Sequence, residues 1–113
     1  MGTEVTLDIT PDTFDTEVLQ STLPVLVDFW ADWCIPCRTL GPQVDRIARE
    51  HEGTLKVVKF DAGKHTDFAK LKGVGSLPTL LVFIGGQQVA QKIGAVGGYP
   101  AIKQLITPHL PTV

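Results

Sequence analysis

The stretch Val27–Cys37 reads VDFWADWCIPC. Its first half belongs to a nearly unbroken apolar run, VLVDFWA (residues 25–31), rich in β-branched and aromatic side chains. A run of that kind reads as a strand covered on both faces. Its second half places the only two cysteines of the chain, Cys34 and Cys37, in one C-x-x-C turn. Beyond the turn, Leu40, Val44, Ile47 and Ala48 recur at helical spacing, so a helix begins at Cys34. Gly53 is placed to stop it. Pro42 falls inside it and is expected to kink it, because proline removes an amide donor and crowds the preceding turn.

Working outward, Val5-Thr6-Leu7 alternates before a turn and reads as a short strand. Thr10 is a helix N-cap candidate with Pro11 at the first helical position, and Phe14, Val18 and Leu19 supply the apolar face of the helix that follows. LKVVKF (55–60) is a strand, and HTDFAKLKGV (65–74) a short helix ending near Gly73. TLLVFI (79–84) and QVAQKIG (88–94) flank Gly85-Gly86, a hairpin signal. Tyr99–Leu110 closes the chain as an amphipathic helix carrying Ile102, Leu105 and Ile106; Gly97-Gly98 loosens its entry and Pro108 is placed to end it early. The order β-α-β-α-β-α-β-β-α implies parallel pairing through crossovers, with the last hairpin adding antiparallel strands. The expected fold class is α/β: one domain over residues 1–113, with a central mixed five-stranded sheet flanked by four helices.

Bulk composition narrows the function. The chain is 43% apolar and 19% charged, ordinary for a globular protein, with a formal net charge of −2. No basic footprint for nucleic acid is present, and no apolar run reaches membrane-spanning length. The opening MGTEVTLDIT has no basic segment followed by an apolar one, so a cytoplasmic location is expected. Neither G-x-G-x-x-G nor a P-loop occurs, so no bound cofactor is expected.

A C-x-x-C pair has three common readings. A structural zinc needs four ligands, and the other candidates here, His51, His65 and His109, are isolated. A purely structural disulfide would close a very small loop and constrain the unfolded chain little. A redox dithiol beside a β-α-β pattern fits the context best. Cys34 at a helix N-terminus meets unpaired amides and the positive end of the macrodipole, which favour a thiolate. Pro36 lacks an amide where amides lack partners anyway. Cys37 lies one helical turn on, can reach back to Cys34, and is expected to be the more buried of the two.

VDFWADWCIPC resembles the active-site region of the thioredoxin family, whose motif is WCGPC. The likeness extends further. Asp28 matches that family's buried carboxylate, Phe29 and Trp30 its aromatic pair, and Pro42 its helix proline. SLPTLLVF matches the segment around its cis-proline, with Pro78 in that role, and KIGA matches its glycine-containing strand end at Gly94 and Ala95. The resemblance covers the chain from about Val5 to Leu110.

What the resemblance implies is a thiol–disulfide oxidoreductase that reduces protein disulfides. Cys34 is then the nucleophile and Cys37 the resolving thiol, the two forming the redox disulfide, with no metal. Asp28 interrupts an apolar strand; on its own it could equally face water at an edge, and the likeness implies a buried proton-transfer group. Lys59, otherwise an exposed strand lysine, would lie near Asp28 and modulate it. A cis bond before Pro78 would turn the backbone of Leu77 outward toward an extended substrate. Trp33, Ile35, Pro36, Leu77 and Ala95 are expected to form an exposed apolar docking patch, with Gly94 beside it. Disulfide-containing proteins are the implied substrates. A flavin- and NADPH-dependent thioredoxin reductase, or a ferredoxin-linked one, is the implied electron donor, and the chain is expected to act as a monomer.

The chain departs from that pattern at Ile35, which replaces glycine, is stiff at χ1 and adds apolar area beside Cys34. Oxidising relatives in that family often carry a histidine between the cysteines and this chain does not, so the resemblance implies a reductant rather than an oxidant. Asp61 is followed by Ala62 and Gly63 where an acidic pair is common, and Gly75 stands where a larger residue is common. Two other readings compete: a disulfide isomerase or oxidase-like relative, and a non-catalytic binding module on the same fold.

Overall fold

A computed structural model describes residues 5–111; residues 1–4, 112 and 113 of the expected 1–113 domain lie outside the described residues. The elements run β1 (Thr6–Ile9), α1 (Pro11–Phe14) continuing as a π-helical turn (Asp15–Leu19), β2 (Val25–Trp30) and α2 (Ile35–Glu50). They go on as β3 (Lys56–Asp61), α3 (Thr66–Leu71), β4 (Thr79–Ile84), β5 (Gln87–Ile93) and α4 (Gly98–Ile106), with a final 3-10 turn (Thr107–His109). The five strands form one mixed sheet in the order β1-β3-β2-β4-β5. β1 and β2 pair parallel with β3, and β4 is antiparallel to both β2 and β5. This is the expected α/β sheet with four flanking helices.

Period-two alternation in the inner strands sorts the core into two layers. Val25, Val27 and Phe29 of β2 join Val58, Phe60, Leu81 and Phe83 under α1 and α3. Leu26 joins Val57, Leu80 and Val82 under α2 and α4, which contribute Leu40, Val44, Ile47, Ile102 and Ile106. Every residue of β2 is buried, because helices cover both of its faces. Asp28 shares the face that α2 covers. Register places it in a row across the sheet, Asp8–Lys59–Asp28–Leu80–Lys92, from β1 to β5.

Three local readings change. The first helix does not stay α-helical: the Gln20 amide donates to the Asp15 carbonyl at 3.0 Å, a five-residue step that widens the turn. Glu17 in that turn accepts from Lys56 Nζ at 2.6 Å and so ties it to the start of β3. β2 stops at Trp30 instead of Ala31, because the Ala31 carbonyl turns to accept the Cys34 amide at 3.1 Å. The terminal helix stops at Ile106, short of Leu110. Pro108 has no amide to continue the ladder, and the last residues tighten into the 3-10 turn.

Phe14 anchors the α1 layer. It is 1% exposed and meets Phe60, Phe68 and Phe83 edge-on, with centroids 6.4, 5.3 and 5.8 Å away. Phe14→Ala is expected to lower unfolding free energy by about 3–5 kcal/mol through lost transfer energy and a residual cavity. Equilibrium urea denaturation checks this: a loss below about 0.5 kcal/mol, the level typical of surface substitutions, would show that the ring cluster is not the anchor.

Candidate active site

The turn from β2 into α2 builds the site. Once β2 ends, Cys34 takes an extended conformation (φ −94°, ψ 104°) and serves as N-cap of α2. The Cys37 amide donates to Cys34 Sγ at 3.3 Å, and the Arg38 amide to the Cys34 carbonyl at 3.2 Å. Sulfur thus does what a serine or aspartate oxygen does at other helix starts. Pro36 sits in this first turn without breaking any amide pairing. Cys34 and Cys37 are joined as a disulfide, with Cα atoms 5.3 Å apart. When that bond is reduced, an amide donor and the N-terminal end of a sixteen-residue helix both favour a thiolate at Cys34. The expected contrast in burial between the two cysteines is nearly absent, at 5% and 4%, because Trp30, Ala31 and Leu77 enclose both.

Around the sulfurs the apolar surface is uneven. Trp33 is 74% and Ile35 70% exposed, and Pro36 is exposed beside them. Leu77, Gly94 and Ala95 are half-buried, not open. Leu77 leans on the cysteine cluster, whereas Ala95 packs toward the core under α2 and α4. The Leu77–Pro78 peptide is cis. The Pro78 carbonyl accepts the Gly94 amide at 2.8 Å, which ties the two loops together, and within the second the Gly94 carbonyl accepts Lys92 Nζ at 3.2 Å. Gly94 has φ +88°, a conformation that side chains resist.

Two departures singled out in the sequence have physical consequences here. A Cβ on Gly63 would stand 3.0 Å from Ala31 Cβ and 3.3 Å from Trp33 Nε1, so the absence of a side chain lets the indole lie close. On the α3 side of Trp33, a pocket of about 150 Å³ lies between Ala62, Thr66, Lys70, Gly75 and Leu77. The small residues at 62 and 75 help to keep it open.

Asp28 lies 2% exposed, and its Oδ1 has no hydrogen-bond partner among the described residues. Burial pushes its carboxyl up to about 7; the Lys59 charge opposes that rise and the Asp45 charge adds to it. Lys59 itself is 3% exposed, not the open strand lysine that its residue type alone would indicate. Its Nζ lies 2.7 Å from Asp45 Oδ1 on α2, an ion pair that lacks the alignment of a good hydrogen bond. Asp45 was not among the sequence candidates. Its signal was available in the spacing, since Cys37, Gly41 and Asp45 fall four apart on one face of the helix. Among the described residues no three His, Cys, Asp or Glu side chains gather as a metal site requires.

Comparison with known proteins agrees with this geometry. The thioredoxin family model matches residues 5–107. Thioredoxin 1 of Nostoc sp. is 47% identical over 102 residues, covering 90% of this chain and 94% of the relative. Thioredoxin of Synechocystis sp. is 47% identical over 91 residues, covering 80% and 85%. The bifunctional thioredoxin reductase/thioredoxin of Mycobacterium leprae is 40% identical over 108 residues, covering 94% of this chain and 24% of that protein.

The buried carboxyl gives a stability signature. Folded Asp28 keeps its proton up to about pH 7, whereas an unfolded aspartate releases it near 3.8. Between those values the folded state binds the extra proton. The contribution is therefore complete below the lower value, falls as pH rises toward 7, and is absent above it. The difference corresponds to something on the order of 4 kcal/mol. Disulfide-intact Asp28→Asn should lack this slope and exceed the parent in stability at pH 8. Denaturation midpoints from pH 4 to 8 test it; parallel profiles for the two proteins would contradict a buried, proton-holding Asp28.

Proposed function

Because the chain belongs to the thioredoxin family and is a thiol–disulfide oxidoreductase that reduces protein disulfides, we propose a division of labour among its site residues. Cys34, as thiolate, attacks one sulfur of a substrate disulfide. The substrate S–S bond breaks, a Cys34–substrate mixed disulfide forms, and the departing substrate sulfur takes up a proton. Asp28 then accepts the Cys37 proton as general base. The Cys37 thiolate attacks Cys34 Sγ, the second substrate sulfur leaves and is protonated, and two electrons have passed from the dithiol to the substrate. The observation that carries this reading is a sulfur-capped helix start whose helix packs over a buried carboxyl with an unpaired oxygen. A carboxyl held near 7 can both take and return a proton at neutral pH.

Lys59 modulates Asp28 from the neighbouring strand, with which it is in register. The cis-Pro78 loop presents Leu77 for extended pairing with substrate, and Trp33, Ile35, Pro36, Gly94 and Ala95 complete the docking surface. The electron donor in this reading is a flavin- and NADPH-dependent thioredoxin reductase, supported by the relative that carries both names in one chain; a ferredoxin-linked reductase is the other source. The protein acts as a cytoplasmic monomer and a single domain, electrons entering and leaving by thiol exchange. Among the described residues no helix is long and apolar enough to cross a membrane.

Insulin reduction by dithiothreitol is the direct test. The protein should accelerate precipitation, Cys34→Ser should abolish the acceleration, and Cys37→Ser should accumulate a mixed disulfide visible on non-reducing gels. Full activity in Cys34→Ser would contradict the assignment and favour a binding module. Ile35→Gly removes apolar area at a 70% exposed position. It is expected to raise KM for protein disulfides several-fold, by about 1 kcal/mol of lost contact, with kcat little changed. A change confined to kcat would place Ile35 in the chemistry instead of docking.

A further inference from the structure

The mechanism gives Lys59 a modulating role but leaves its own ion-pair partner, Asp45, without a task. Lys59 is the register neighbour of Asp28 on β2, but its Nζ pairs with Asp45 Oδ1 on α2 at 2.7 Å. Asp28 Oδ1 has no hydrogen-bond donor and no ion pair within 4 Å among the described residues, although Lys59 is its register neighbour. The backbone of α2 passes close to the ammonium. A Cβ on Gly41 would stand 3.8 Å from Lys59 Nζ, so the ammonium rests directly over that glycine, one turn before Asp45.

We propose that Asp45 is a positioning residue: it holds the Lys59 ammonium against α2 and off Asp28, leaving Asp28 Oδ1 unpaired and the carboxyl free to exchange a proton with Cys37. This deepens the mechanism above and rests on it for the role of Asp28. A buried ammonium needs a negative partner. Without Asp45, the nearest one is Asp28. A direct Lys59–Asp28 pair would fix that carboxyl in its ionised form, still able to accept a proton but holding it far more weakly. Asp45 therefore does two things at once. It neutralises Lys59, and it keeps Asp28 poised between its two protonation states.

The charged groups around Asp28 are few. Along the sheet row they are Lys59, then exposed Asp8 beyond it on β1 and half-buried Lys92 beyond Leu80 on β5. Lys92 Nζ is engaged with the Gly94 carbonyl. From α2 the facing groups are Asp45 and Cys37. On α4, Lys103 is engaged at 2.8 Å with His51 at the far end of α2. Lys59 and Asp45 are the two whose charges act on Asp28.

The test uses the oxidised protein, in which the cysteines do not titrate. The Asp28 carboxyl is followed by carbon-13 NMR or infrared difference spectroscopy, with Asp28→Asn to assign the signal. Asp45→Asn should move the Asp28 midpoint down by roughly one pH unit or more. Asp45→Glu should restore it. In a Lys59→Met background, Asp45→Asn should move it clearly less than in the parent, since no ammonium remains to be released and only the direct effect of the Asp45 charge is lost. An equal shift in both backgrounds would show that Asp45 acts by its own charge and would overturn the proposal, as would no shift in either. If Asp45→Asn does not fold, Asp45→Ser takes its place, with the same pair of shifts expected in the parent and Lys59→Met backgrounds. A shifted midpoint with an unchanged pH profile of insulin reduction would support the placement of Lys59 and count instead against proton transfer by Asp28.

Discussion

A carboxyl in the middle of an apolar strand is the constraint from which the site is built. Asp28 lies in β2, the central strand of five, covered by helices on both sides. Water cannot solvate it, and its Oδ1 has no donor among the described residues. A group so placed must either stay protonated or borrow a counter-charge. Here it does part of each. Burial keeps the carboxyl near neutrality at physiological pH, and Lys59 limits the rise without closing on it. The fold gives up stability at this position, as functional sites commonly do. That loss is tolerated because Phe14, Phe29 and Phe60 on one face, and Leu40, Val44 and Ile102 on the other, pack the surrounding layers.

The dithiol depends on the same strand. β2 ends where the Ala31 carbonyl turns to accept the Cys34 amide, and α2 starts with Cys34 sulfur as its cap. One turn therefore sets both the reach between the sulfurs and the field at Cys34. The cis-Pro78 loop closes the other side, held by the Gly94 amide from the end of β5. Three segments distant in sequence thus meet at this site, each at one end of a sheet strand. Rigid strands set the chemistry, while the exposed Trp33 and Ile35 vary the surface offered to partners.

Much of this could be read from the residues. The continuous apolar run of β2, the amphipathic face of α2, the Gly85-Gly86 hairpin and the alternation of strands with helices prescribe the α/β sheet. The C-x-x-C at a strand-to-helix junction indicates redox thiols, and the likeness around Asp28, Pro78 and Gly94 indicates their neighbours. Other features were hidden. A π-helical turn in α1 leaves no mark in the spacing of Phe14, Val18 and Leu19, which suits an ordinary helix equally well. Lys59 in VVKF has the pattern of a solvated strand lysine; only the helix laid over it makes it buried. The spacing puts Asp45 on the face of α2 that carries Cys37 and Gly41, but its pairing with Lys59 shows only once that helix is docked on β3.

The sequence by itself determined the elements and the reacting atoms. Periodicity and capping act over a few residues, and the thiol spacing is a single helical turn. What the tertiary structure alone decided is the electrostatic state of the site. Whether Asp28 is buried or at an edge, and which carboxylate Lys59 chooses, depend on strand register and on where α2 lies across the sheet. Burial and charge pairing are set by neighbours dozens of residues away. The local pattern that makes a strand or a helix carries no trace of them.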